Sequence, residues 1–106
     1  MSKNKYTLKL TTKAENDLNR IYAYISKDLD AEIVGISLIE KFEKNLLRLE
    51  EFPFSCSSVG DEFLKKKGYR KLIVKNYIGF YIVEEEAKEI VIMRFLYGKQ
   101  RFEDIL

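Results

Sequence analysis

Three β-rich runs separated by very short polar connectors, roughly Tyr69 to Lys75, Tyr77 to Glu84 and Glu89 to Tyr97, constrain this chain more than any other feature. The connectors, Lys75-Asn76 and Glu85-Glu86-Ala87-Lys88, are hairpin lengths, so neighbouring strands are expected to run antiparallel. Side chains alternate across a strand, which sets Ile78, Phe80 and Ile82 on one face of the middle run and Tyr77, Gly79 and Tyr81 on the other. The aliphatic face is expected to pack under helices. The tyrosine face is then the open one and the candidate functional surface.

The upstream half supplies those helices. Tyr6-Thr7-Leu8-Lys9-Leu10 alternates at period two and reads as a first strand with Tyr6, Leu8 and Leu10 inward. Thr12-Lys13-Ala14-Glu15 has the form of a capping box, predicting a helix from Lys13. Ala14, Leu18, Ile21, Tyr22 and Ile25 form its apolar stripe, with Asp17, Asn19, Arg20 and Lys27 assigned to water. Asp28-Leu29-Asp30 is a short break, and Asp30 is the expected cap of a second helix running to about Glu51, giving an antiparallel helical hairpin. Val34, Leu38, Phe42, Leu46 and Leu49 line one row of that helix, flanked by Ile36, Ile39 and Leu47. Pro53 restricts Phe52 and ends it, and Ser55 to Gly60 forms a connecting loop.

Composition narrows the chemistry. A chain of 106 residues holds one core, so residues 1–106 form a single α+β domain. Its 19 basic and 17 acidic residues leave a net charge of only +2, so basic function must come from placement. Cys56 is the sole cysteine, which excludes an internal disulfide and fits a reducing, cytoplasmic setting. The absence of histidine removes the commonest general base and metal ligand, and no metal or cofactor is expected. Neither a signal peptide nor a membrane-spanning run is present, so no membrane association is expected.

Several short motifs then fall in a familiar order. They are Ala14-x-x-Asp17-Leu18 with Ile21 and Tyr24-Ile25, Leu49 through Phe52-Pro53, Gly68-Tyr69-Arg70, Asn76-Tyr77-Ile78 with Phe80-Tyr81, and Arg94-x-x-Tyr97-Gly98 before Ile105-Leu106. In this order and over nearly the whole chain they resemble the RelE/ParE superfamily, the toxin half of bacterial type II toxin-antitoxin pairs. The resemblance implies an N-terminal strand, a two-helix hairpin, three antiparallel strands in one sheet with the helices on one face, and a short C-terminal tail. It also implies a cognate antitoxin as partner.

Two mechanisms come with that resemblance. RelE-like members act on the ribosome and cleave mRNA, whereas ParE-like members inhibit DNA gyrase without a catalytic site; a relative that only binds its antitoxin is a third case. The first reading is mRNA cleavage. It makes Arg70 a phosphate clamp, Arg101 a second cation, and Lys67 and Tyr77 accessory groups, since a guanidinium holds phosphate bidentately and lysine or tyrosine must replace histidine in proton transfer. The alternative for Arg70 is a structural pairing with a carboxylate such as Glu84 or Asp61. Two departures from the RelE pattern weigh on the nuclease reading: Gln100 stands in strict register where a basic residue is expected, and Phe102 stands in a tail where a tyrosine with a proton-transfer role is implied.

Overall fold

The computed structural model describes residues 5–56 and 62–98. Within them the chain runs β1 (Thr7–Leu10), α1 (Thr12–Ala23), a π-helical turn (Tyr24–Asp28), α2 (Glu32–Glu51), α3 (Glu62–Lys66), β2 (Arg70–Val74), β3 (Tyr77–Glu84) and β4 (Glu89–Tyr97). The strands form one four-stranded sheet in the order β1-β4-β3-β2. β2, β3 and β4 are the expected antiparallel meander, and β1 joins its far side in parallel with β4, from Thr7 opposite Glu89 to Leu10 opposite Ile92.

The local sequence explains most boundaries. Thr11, not Thr12, caps α1: its hydroxyl accepts the Ala14 N–H at 3.0 Å, so the helix starts one residue earlier than the capping box suggested. The π turn ends α1 with Leu29 N–H donating to Tyr24 O, five residues back. Asp30 does not cap α2; it takes a left-handed φ of 50°, and Ala31 is the cap position with no side-chain hydrogen bond. Lys65 and Lys66 form the last part of α3. Gly68 closes that helix at φ 87°, with Tyr69 N–H donating to Leu64 O and Gly68 N–H to Lys65 O, a left-handed terminus that favours glycine.

Packing reverses one expectation. The helical layer meets Leu72, Val74, Tyr77, Tyr81 and Val83, while Ile78, Phe80 and Ile82 lie on the opposite face with Leu64, Tyr69 and Leu96. Both faces of β3 are thus covered. The tyrosine face is the one under the helices because its rings span the gap to α2: Phe42 makes edge contacts to Phe95 at 5.0 Å and to Tyr77 at 6.4 Å between centroids. The second face is covered by Leu64 of α3, a helix the sequence reading did not contain. On α2, Leu38, Phe42, Leu46 and Leu49 are buried as expected, but Val34, Ile36 and Leu47 are exposed.

Candidate functional site

Beyond Leu10 opposite Ile92, β4 keeps β3 on one side but has no strand neighbour on its β1 side, where α1 takes that place. Thr11 N–H donates to Ile92 O and the Thr11 hydroxyl donates to Met93 O at 2.9 Å, which seats the start of α1 against the strand. Opposite this point the β3–β4 register slips between Phe80 and Tyr81, leaving Met93 as the extra residue of a bulge. One turn further along α1, Asp17 meets Arg94. The guanidinium donates Nε to Oδ2 at 2.6 Å and Nη2 to Oδ1 at 2.9 Å, and the edge N–H of Phe95 donates to Oδ2 at 3.1 Å. Asp17 is only 2% exposed, although the sequence reading set it in water. Its spacing of three from Ala14 and four to Ile21 places it on the buried stripe, a signal overridden by its polarity.

This clasp forms the floor of a cavity of about 810 Å³ at the end of the sheet. Arg20 lies at its rim, 3.5 Å from Asp17 and with 71% of its side chain exposed. Tyr24, Tyr77 and Tyr97 line it together with Ile21, Leu29 and Asn76, and the Tyr77 and Tyr97 rings lie 5.7 Å apart at 65°. Burial, then the neighbouring Tyr24 and Tyr97 hydroxyls, push the Tyr77 phenol above the ordinary tyrosine value. Hydrogen bonding to Asp17 raises Arg94 further above its already high value. At neutral pH Tyr77 therefore stays a phenol and Arg94 a fixed cation. Tyr77 is a poor general base in this setting.

The sequence-predicted site residues are not gathered here. Arg70 pairs with Tyr81 in the β2–β3 ladder and Tyr77 with Val74, so the two lie at opposite ends of β2. Arg70 shares the helix-side face with Leu72 and Val74 rather than an open one. Its Nη1 donates to Cys56 O at 2.6 Å and its guanidinium stacks on the Phe54 ring at 4.8 Å. Among the described residues its partners are this carbonyl and this ring, and Glu84 is not one of them. Tyr81, which pairs with it, is fully buried and donates its hydroxyl to Pro53 O at 3.0 Å, so both residues pin the segment after α2. Lys67 follows α3, with its N–H bonded to Leu64 O, on an exposed turn. Arg101, Gln100 and Phe102, with the tail, lie outside the described residues, as does Asp61.

Among the described residues, no group of three or more His, Cys, Asp or Glu side chains gathers as a metal site, and no helix is long and apolar enough to cross a membrane.

Comparison with known proteins agrees with this architecture. Residues 8–102 match the family described as the ParE toxin of the type II toxin-antitoxin system, parDE. Among solved structures, the fold is similar to a chain of the chromosomal ParDE system from P. aeruginosa, with TM-score 0.73, 21% identity, and 91% of this chain and 99% of that chain covered. It is also similar to a chain of a RelBE toxin-antitoxin complex from Mycobacterium tuberculosis, with TM-score 0.60, 19% identity, and 88% and 98% covered. No curated protein sequence matches significantly. The family match spans the strand, the helical hairpin and the meander that carry the Asp17–Arg94 clasp, and the chain belongs to the ParE toxin family of type II toxin-antitoxin systems.

Proposed function

We propose that this toxin acts in the cytoplasm by docking on DNA gyrase, has no nuclease site of its own, and is neutralised by a cognate antitoxin. The observation that carries this reading is the engagement of Arg70: its guanidinium binds the Cys56 carbonyl at 2.6 Å and the Phe54 ring, on the helix side of the sheet and away from Tyr77. A phosphate clamp needs that fork free and surrounded by groups for proton transfer. The match to the ParE family and the likeness to a ParDE chain support the same reading, and the likeness to a RelBE chain keeps mRNA cleavage as the second.

Purified toxin added to DNA gyrase should inhibit supercoiling or trap cleaved DNA, and prior addition of the antitoxin should restore activity. The same protein added to a translating ribosome preparation should leave mRNA intact. Cleavage of mRNA within codons, with gyrase unaffected, would reverse the order of the two readings.

A further inference from the structure

A second hollow, of about 570 Å³, lies along α2 beside the β2–β3 turn. Its lining changes character along the helix. Ile33 and Val34 stand at one end with Ile25 and Ala31, which the Ala31 N–H to Ile25 O bond holds together, and Leu38 follows one turn later. Lys41 and Lys75 stand at the other end, with Lys41 two helical turns beyond Val34, about 10 Å along the axis.

The basic end is short of an anion. The Lys41 and Lys75 side chains are in hydrogen-bonding contact, and among the described residues no carboxylate pairs with either. That contact, then partial desolvation, pushes Lys41 below the ordinary lysine value, because ammonium groups side by side repel. One carboxylate between them removes the repulsion and accepts from both. The apolar end is uncovered, with Ile33 83% and Val34 58% exposed. A sugar or an extended peptide there would lay hydroxyl, N–H and C=O groups on aliphatic surface without partners, a cost that an alkyl chain avoids. A hollow of this volume, mostly apolar with a few polar groups gathered in one place, has the character of a small-molecule site.

We propose that this hollow binds one molecule of a free medium-chain fatty acid, its carboxylate bridging Lys41 and Lys75 and its alkyl tail lying along Leu38 toward Ile25 and Ala31. Ile33 and Val34 close over the tail from the rim, which gives two exposed aliphatic side chains a surface to cover. The length of the hollow selects the ligand: a short carboxylate reaches the lysines but leaves the aliphatic end bare. The site is independent of which target the toxin inhibits.

The test is calorimetric titration of full-length toxin with decanoate, kept below the concentration at which it forms micelles. One molecule should bind per chain. Octanoate should bind about tenfold more weakly, as expected for two fewer buried methylenes, and acetate should not compete. Lys41→Gln with Lys75→Gln should weaken decanoate by about tenfold or more through loss of its charge-assisted hydrogen bonds, and should leave decanol binding unchanged. Val34→Asp should weaken both ligands. Leu47→Asp, on an exposed part of α2 outside the hollow, should change neither, and all variants should melt with the wild type because the changed residues are exposed. Absence of saturable binding would overturn the proposal. Equal affinity for octanoate and decanoate, or full decanoate binding by the double lysine variant, would do the same. Binding confined to anionic lipid vesicles would also overturn it, making the lysines a membrane-surface contact instead.

Discussion

Arg94 grips Asp17 through two side-by-side hydrogen bonds, of 2.6 and 2.9 Å, and thereby joins the last strand to the first helix. The pair is separated by 77 residues in sequence. It stands where β4 has run past the end of β1, so Asp17 also accepts the Phe95 N–H on the edge that a further strand would otherwise pair. Among the described residues, no buried side-chain nitrogen or oxygen lacks a hydrogen-bond partner. A carboxylate this deeply buried is tolerated only with such complete pairing.

Breaking the clasp from one side should therefore cost more than removing it. Asp17→Ala leaves Arg94 and the Phe95 N–H without their acceptor, and a loss of about 3–5 kcal/mol is expected from urea unfolding. Asp17→Leu combined with Arg94→Met should cost less than the sum of the two single changes. Additive losses would show that the two residues are not energetically coupled.

Tyr81 should make the fold sensitive to alkali. Burial, followed by the adjacent Cys56 side chain, pushes its phenol well above the ordinary value, with Arg70 opposing. A folded pKa above the unfolded one means this contribution is complete below about pH 10, the unfolded tyrosine value, and is lost as pH rises through the folded value. Tyr81→Phe should flatten the alkaline fall in stability. At neutral pH it should cost about 1 kcal/mol, because Pro53 O loses its donor.

Two glycines should respond to alanine for different reasons. A Cβ at Gly79 would lie 3.1 Å from Phe95 Cε1 and displace the ring packed on Phe42, so Gly79→Ala should cost about 1–3 kcal/mol. At Gly68 nothing lies within 4 Å, but φ is 87°, so Gly68→Ala should cost about 1–2 kcal/mol through backbone strain alone. Crystal structures of the variants should show a shifted Phe95 in the first and an unmoved core in the second.

Arg70→Ala should act on stability rather than on the toxic contact. Losing the Cys56 carbonyl bond and the Phe54 stack should lower stability by about 1–2 kcal/mol, read by thermal melting. At equal concentrations of folded protein, inhibition of gyrase should be unchanged. A well-folded Arg70→Ala protein that no longer arrests growth would return the arginine to the toxic surface.

The local chemistry of the chain determined a great deal by itself. Connector length set the β2–β3–β4 meander, with β3 and β4 ending where the pattern predicts, and apolar spacing marked Leu38, Phe42, Leu46 and Leu49 as core. Alternation also grouped Tyr77 with Tyr81 and Ile78 with Phe80 correctly. Only the tertiary structure decided which group faces the helices, because both faces of β3 are apolar enough to bury and periodicity carries no sign. The same limit hid Asp17 and misplaced Arg70. A charged residue is buried or exposed according to whether a partner reaches it, and here those partners, Arg94 and the Cys56 carbonyl, come from other elements. Sequence spacing fixes which side chains share a face, whereas the meeting of distant elements fixes what that face touches.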